Sequence, residues 1–168
     1  MPKIIENLET RLMEEAVRQI EAVGYSAMTI RSVAKACGVG VGTVYNYFPS
    51  KDDLLARYLL KDWKNCITAI EAVSTYSESP EPLLRCIYDQ LCGYALHHKA
   101  IFSAEGAGAA YAGAFGKYHA ILRSQLSAPL RKFCPSDFAS DFIAEALLTW
   151  TMAGKDFDDI CGMIRKLF

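Results

Sequence analysis

The segment from residue 29 to residue 51 constrains the fold of this 168-residue chain more than any other, and it reads TIRSVAKACGVGVGTVYNYFPSK. It predicts two short helices on either side of a turn that contains glycine. Thr29 is an N-cap candidate for the first helix, because its hydroxyl can accept a hydrogen bond from an otherwise unpaired backbone N–H. Gly38 can take the left-handed conformation that ends this helix sharply. On the second helix, Val44 and Phe48 are expected to face inward.

This arrangement is a helix-turn-helix, whose second helix can enter the major groove of DNA. The segment resembles the DNA-binding segment of the TetR family of transcriptional regulators, and the rest of the chain carries no comparable signature. The residues that carry the resemblance are Thr29, Val33-Ala34, Cys37-Gly38-Val39, Gly42-Thr43-Val44-Tyr45, Tyr47-Phe48 and Ser50-Lys51, and upstream Ala16, Val17, Ile20 and Gly24-Tyr25.

The resemblance implies a dimeric, ligand-responsive repressor that binds a palindromic operator in double-stranded DNA. The residues predicted to contact base edges lie on the outward side of the second helix and are Gly40, Val41, Gly42 and Asn46. The residues predicted to hold phosphates are Thr29, Arg31, Thr43, Tyr45, Tyr47 and Lys51. For Tyr45 and Tyr47, packing within the small domain remains an alternative.

The overall charge of the chain does not favour nucleic acid. The net charge is -1 and the pI is about 6.3, so any affinity for DNA must come from a local patch. Hydrophobic residues make up 52% of the chain and charged residues 22%, which is typical of a globular protein with a real core.

Apolar periodicity beyond the first domain predicts helices only, so the expected fold class is all-α. We expect a three-helix DNA-binding domain at residues 1–49 and a helical ligand-binding and dimerisation domain at residues 50–168. Residues 103–116, rich in Ala and Gly, are either a short, poorly packed helix or a mobile wall of a ligand pocket. A loop is predicted at residues 74–82 and a break near Pro129. The predicted helices outside the helix-turn-helix are 4–23, 50–76, 81–98, 117–133, 137–153 and 156–167.

Aromatic side chains are the candidates for a ligand pocket in the second domain. Few charges lie among them, which favours an apolar or aromatic small-molecule effector. They are Trp63, Tyr88, Tyr94, Phe102, Tyr111, Phe115, Tyr118 and Trp150.

The resemblance further implies that the last two helices pair with the same helices of a second subunit. The alternative, that their apolar stripes only close the core of one subunit, stays open. The residues assigned to the homodimer interface are Phe142, Ala146, Trp150, Phe157, Ile160 and Ile164.

The cysteines and histidines favour neither a metal site nor a cofactor. The six cysteines form no CxxC pair, which predicts reduced, buried thiols, with a thiol redox sensor as the alternative. His97 and His98 are adjacent on a predicted helix, so their side chains point about 100° apart and are poorly arranged to chelate one ion.

Several classes of function are disfavoured by missing motifs. The chain has no G-x-S-x-G, H-E-x-x-H, Rossmann or Walker pattern, so we expect no enzyme. Its start, MPKIIENLETR, has no long apolar core and no run approaches a membrane span, which predicts a cytoplasmic protein without a membrane partner. The alternative function is a helical sensor or protein-interaction module with a non-functional DNA-binding domain.

Overall fold

The computed structural model describes residues 7–102 and 107–166, except for the side chains of residues 100 and 102–117. Within this part of the chain the structure is helical and contains no strand, as the sequence predicted. The helices are α1 Leu8–Val23, α2 Ile30–Ala36, α3 Val41–Tyr47, α4 Lys51–Tyr76, α5 Pro80–His97, α6 Lys99–Phe102, α7 Ala107–Leu130, α8 Asp137–Met152 and α9 Phe157–Ile164, with a 3-10 turn at Arg131–Phe133 between α7 and α8.

The chain divides into two compact units. The first comprises residues 1–61 and 98–116, and the second comprises residues 62–97 and 117–168. This division lies within α4, whereas the functional boundary predicted between residues 49 and 50 stays a prediction.

The core of the first unit is built on the apolar stripe of α1. Its buried residues recur at the three- and four-residue spacing of one helical face, and they are Leu8, Leu12, Met13, Ala16 and Ile20. Val23 follows the same helical spacing but is 61% exposed, because it lies in the last turn before Gly24 ends the helix with φ +84°. Side chains from α2 to α4 complete this core, including Val33, Ala34, Val44, Phe48, Leu54 and Leu55.

The core of the second unit is formed largely by α5, α8 and α9. Leu83, Leu84, Ile87 and Leu91 are fully buried on α5. Leu96, near the end of α5, is 74% exposed, because the buried stripe continues through Tyr94 on another side of the helix. From α8 and α9 the buried residues include Ile143, Ala144, Leu147, Leu148, Phe157, Ile160, Cys161 and Ile164.

Several helix boundaries differ from the predicted ones. Residues 107–116 belong to α7 rather than to a separate short helix, since their many alanines favour the helical conformation. Pro129 lies in the last turn of α7, so the helix ends just after it instead of breaking earlier. Pro80 is the first residue of α5, a position where its missing N–H costs nothing, and this shortens the predicted loop to residues 77–79. Residues 4–6 of the predicted first helix lie outside the described part.

All six cysteines are free. Cys66 and Cys161 are buried as predicted, whereas the other four, Cys37, Cys86, Cys92 and Cys134, are half-buried. Burial raises the pKa of the thiols of Cys37, Cys66, Cys86 and Cys134, and it raises the pKa of Cys161 to about 11. A raised pKa lowers the thiolate fraction, which disfavours a redox sensor at these positions. Separately, no helix in the described residues has both the length and the apolar character of a membrane span.

Candidate nucleic-acid interface and apolar groove

The start of α2 is secured by reciprocal hydrogen bonds. Thr29 Oγ1 accepts from the backbone N–H of Ser32 at 3.0 Å, and Ser32 Oγ accepts from the backbone N–H of Thr29 at 3.1 Å. This is a capping box in which serine takes the place of the usual glutamate. It confirms the predicted N-cap and holds Thr29 and Arg31 exposed at the start of the helix-turn-helix.

The turn between α2 and α3 is a Schellman motif. Gly38 has φ +69°, the backbone N–H of Val39 donates to the carbonyl of Ala34 at 3.0 Å, and that of Gly38 donates to Lys35 at 3.2 Å. A left-handed residue followed by this pair of bonds ends a helix and redirects the chain sharply. The glycine at position 38 is therefore required by the turn.

The second helix, α3, presents one face to the core and one to solvent. Val44 and Phe48 are fully buried, as predicted. Tyr45 and Tyr47 are 51% and 37% exposed, so neither ring is part of the core of the first unit. The remaining outward residues are small or polar: Gly40, Gly42 and Asn46 are exposed, and Val41 and Thr43 are half-buried.

Gly40 and Gly42 have no structural reason to be glycine within this chain. Gly40 has φ -70°, and neither residue has a positive φ. A Cβ built on Gly42 would meet nothing within 4 Å, and one on Gly40 would meet only Thr43 Oγ1 at 3.8 Å. Because these two residues have no side chains, the backbone at the first turn of α3 is open to close approach by a partner.

The segment from residue 29 to residue 51 contains three basic residues and no acidic one. Arg31 and Lys35 are exposed. The side chain of Lys51 is not free at the surface, because its Nζ donates to the carbonyls of Tyr25 and Met28, the latter at 2.7 Å. Removal of water from the ammonium lowers the pKa of Lys51. The local excess of positive charge supplies the patch that the net charge of the chain lacks.

Two of the aromatic residues predicted for a ligand pocket lie together inside the second unit. Trp63 and Tyr94 are 1% and 6% exposed, and their rings meet edge to face with centroids 5.3 Å apart. The indole Nε1–H of Trp63 donates to Gln125 Oε1 at 2.8 Å, so this buried polar group is satisfied.

The other predicted pocket residues are distributed differently. The hydroxyl of Tyr88 donates to the carbonyl of Lys155 at 3.1 Å and its ring packs against Phe157, between α5 and α9. Tyr118 is half-buried on α7, and Trp150 is 51% exposed on α8. The side chains of Phe102, Tyr111 and Phe115 lie outside the described residues.

An apolar groove of about 550 Å³ runs along the outer side of α8 and α9. Its lining contains five of the six residues predicted for dimerisation and one aliphatic residue that the prediction missed, Met163, which is 66% exposed. Among the described residues, the lining is Phe142, Ala146, Trp150, Lys155, Asp159, Ile160, Met163 and Ile164. Met163 lies on α9, whereas Phe142 and Trp150 lie on α8. Periodicity describes one helix at a time, so it could not predict that these residues share a surface.

Phe157 is the predicted interface residue that does not line the groove. It is 4% exposed, and its ring packs between the guanidinium of Arg85, 3.5 Å from the ring centroid, and the ring of Tyr88, with centroids 5.4 Å apart. Within the second unit its contacts are therefore with α5.

Known proteins match the N-terminal part of the chain. Residues 12–58 match the family model described as bacterial regulatory proteins, tetR family. The HTH-type transcriptional regulator YuxN of Bacillus subtilis is 30% identical over 95 residues, which are 56% of this chain and 33% of YuxN. The chain thus spans about a third of the length of this curated relative.

Solved structures match over nearly the whole chain. FadR of Thermus thermophilus, a TetR family transcriptional repressor in complex with lauroyl-CoA, superposes with a TM-score of 0.65 at 19% identity, covering 95% of this chain and 92% of FadR. The multidrug binding protein EbrR, complexed with imidazole, gives a TM-score of 0.68 at 17% identity, covering 98% of this chain and 96% of EbrR. At these identities the likeness shows the fold. Residues 12–58 therefore match the DNA-binding domain of the TetR family, and the helical fold of the chain is similar to that of TetR family structures.

Proposed function

We propose that this protein is a homodimeric transcriptional repressor that binds a palindromic DNA operator and is released from it by an apolar or aromatic small molecule. The observation that carries the proposal is the outward face of α3, which is exposed, free of acidic residues and bare at its first turn. An α-helix with such a face fits the major groove, where backbone and short side chains can approach base edges.

The proposed DNA contacts are of two kinds, those to bases and those to phosphates. Gly40, Val41, Gly42 and Asn46 face the bases, with Val41 available for a thymine methyl and Asn46 for the donor and acceptor of an adenine. The residues proposed to hold phosphates are Thr29, Arg31, Thr43, Tyr45 and Tyr47, and they set the position of α3 without reading sequence.

The dimer is proposed to form through the groove on α8 and α9. Phe142 and Trp150 are 52% and 51% exposed, and large apolar side chains grouped on one surface mark an interaction site. A second copy of the same surface is the proposed occupant, because a two-fold axis places α8 and α9 against their counterparts. Operator symmetry then follows from protein symmetry, with two half-sites about one DNA turn, or 34–36 Å, apart.

Selection from a random duplex library tests DNA binding directly. We expect enrichment of one palindromic sequence, and we expect Asn46→Ala to weaken binding by about 1–3 kcal/mol and to relax the preference at one position of each half-site. Asn65→Ala, an exposed asparagine on α4, is the matched control and should bind like the wild type.

A folded dimer that enriches no sequence would contradict the proposal. That outcome would instead favour a helical sensor or protein-interaction module whose DNA-binding domain is inactive.

The effector is proposed to bind next to Trp63 and Tyr94, the two predicted pocket residues that lie together inside the second unit. In support of an apolar component, the similar structure of FadR holds lauroyl-CoA, whose acyl chain is apolar. Coupling to DNA is proposed to pass through α4, a single helix of 26 residues that begins directly after α3 and continues beyond residue 62. A tilt of such a helix moves both of its ends, and a displacement of a few Å in each recognition helix would misplace it in the groove.

Ligand response is tested by a thermal-shift screen of apolar and aromatic compounds, followed by affinity measurements with and without operator DNA. We expect operator and ligand each to weaken the binding of the other by the same factor, because coupling free energies of about 1–3 kcal/mol are reciprocal. Trp63→Phe, which keeps an aromatic ring but removes the Nε1 donor, should change ligand affinity and leave DNA affinity unaltered. Equal ligand affinity with and without DNA would show that the second unit does not sense an inducer.

A further inference from the structure

The side chain of Lys51, the first residue of α4, turns back toward the connection between α1 and α2. Its Nζ donates to the carbonyl of Met28 at 2.7 Å and to the carbonyl of Tyr25. The same ammonium lies 3.8 Å from the centroid of the Tyr25 ring, a cation–π distance. Two of the three N–H donors of the lysine are therefore used inside the first unit.

Asp52, the next residue of α4, also contacts the connection between α1 and α2. The hydroxyl of Tyr25 donates to the carboxylate of Asp52, and Tyr25 and Met28 are 9% and 1% exposed. The carbonyl of Met28 belongs to the peptide that leads into Thr29, the N-cap of α2. These contacts therefore make the position of Thr29, and of the residues that follow it, depend on the first turn of α4.

We propose that Lys51 is a positioning residue for DNA binding: it fastens the α1–α2 connection to α4 and thereby sets where Thr29 and Arg31 stand at the DNA, without binding a phosphate itself. This proposal rests on the proposed function, and it reassigns the role that the sequence predicted for Lys51.

The geometry favours positioning over a direct phosphate contact. To reach a phosphate with its charge, the ammonium would give up two carbonyl acceptors and the Tyr25 ring, leaving buried carbonyls without a donor. Arg31 and Lys35 are exposed and lose no such contacts. Water is already partly excluded from the ammonium, and this lowers the pKa of Lys51.

The test measures operator affinity against salt concentration for the wild type, Lys51→Met, Arg31→Ala and the double variant. A direct phosphate contact releases counterions, so its loss lowers the slope of log affinity against log salt by about 0.9 per half-site. We expect Lys51→Met to weaken binding about tenfold with an unchanged slope, whereas Arg31→Ala lowers the slope. Lys64→Met, which removes an exposed lysine from the same helix, is the control and should match the wild type.

The double variant separates positioning from a loss of stability alone. If Lys51 acts through the placement of Arg31, the double variant loses less affinity than the product of the two single losses, by about threefold or more. A merely stabilising lysine gives effects that multiply. A slope that falls in Lys51→Met, effects that multiply, or an unchanged affinity would each overturn the proposal.

Lys51→Gln keeps the test decisive if Lys51→Met does not fold. Its neutral amide can still donate to a carbonyl, so we expect a smaller loss of affinity and again the wild-type slope. A phosphate ligand would lose the same slope in Lys51→Gln as in Lys51→Met. A wild-type protein that binds no operator would overturn the proposed function and, with it, this inference. A wild type that binds while the two Lys51 variants lose slope would overturn this inference alone.

Discussion

The outward face of α3 and the groove on α8 and α9 are both exposed, yet their chemistry is opposite. On α3 the exposed positions are glycine, asparagine and the hydroxyl-bearing rings of tyrosine. Along the groove the large exposed side chains are Phe142, Trp150 and Met163, and two exposed charged residues, Lys155 and Asp159, also line it. A surface that meets DNA gains from hydrogen bonds and close backbone approach, while a surface that meets another copy of itself gains from removing apolar area from water. We therefore propose a different partner for each exposed surface, on the basis of its side-chain chemistry.

The largest effect is expected for two neighbouring residues of α9. Both residues line the groove, but Ile164 is 2% exposed and Met163 is 66% exposed, so Ile164→Asp buries a carboxylate in the core and Met163→Asp places it at the exposed surface of the groove. We expect Ile164→Asp to lose about 4 kcal/mol or more of folding free energy, which unfolds a typical domain. Met163→Asp should stay folded and become monomeric. Circular dichroism melting and light scattering measure the two properties.

Either a folded, native-like Ile164→Asp or an unfolded Met163→Asp would contradict this contrast between a buried and an exposed residue of α9. A Met163→Asp variant that remains a tight dimer would remove the groove from the interface.

The two tryptophans of the second unit provide the next comparison. Trp63→Ala should lower the free energy of unfolding by about 3–5 kcal/mol, because Trp63 is a buried core residue. Trp150→Ala should leave the monomer nearly as stable and raise the dimer dissociation constant by about thirtyfold or more, the effect of losing an interface residue worth at least about 2 kcal/mol. Urea unfolding at several protein concentrations and sedimentation equilibrium separate the two effects.

Tyr76→Ala is the matched control for the tryptophan pair, since Tyr76 is 71% exposed outside the groove. It should change neither stability nor dimerisation. Equal effects of Trp150→Ala and Tyr76→Ala on dissociation would show that the groove is ordinary apolar surface.

Two glycines test whether α3 needs a close approach of its backbone to DNA. Both Gly42 and Gly93 lie on helices, and a Cβ at either would meet nothing within 4 Å. Each change to alanine should therefore stabilise its helix by up to about 1 kcal/mol. We expect Gly42→Ala alone to weaken operator binding, by about tenfold, because the methyl group prevents close approach of the backbone to the bases. Thermal melting and operator titration of both variants provide the measurement.

Gly42→Ala with unchanged operator affinity would place the first turn of α3 away from the DNA. A loss of affinity in Gly93→Ala would instead indicate an indirect effect of helix stability.

The smallest effect concerns charge on the DNA-binding face. Arg31→Ala should lower the salt slope by about 0.9 per half-site, whereas Tyr47→Phe should weaken binding by about 1 kcal/mol and leave the slope unchanged, because a neutral hydroxyl releases no counterion. Operator titrations at four salt concentrations distinguish the two. A slope change in Tyr47→Phe, or none in Arg31→Ala, would contradict this division of roles.

Local chemistry explains why the helix-turn-helix was predictable. Thr29 caps α2 and Gly38 ends it through bonds that reach no further than five residues along the chain, so they can be read from the sequence. The helix α8 is different because it is apolar on two sides. Ile143 and Leu147 are buried within one chain while Phe142 and Trp150 are exposed, and periodicity alone does not distinguish these faces.

The sequence by itself determined the helical class, the cap and turn of residues 29–51 and the inward placement of Val44 and Phe48, because these depend on local propensity and on a single helical period. The tertiary structure alone decided three features: Phe157 packs inward against Arg85, Met163 joins the groove, and Lys51 binds the carbonyls of the α1–α2 connection. Each of these joins residues that are distant in the chain, and a contact of that kind is specified only when whole helices pack together.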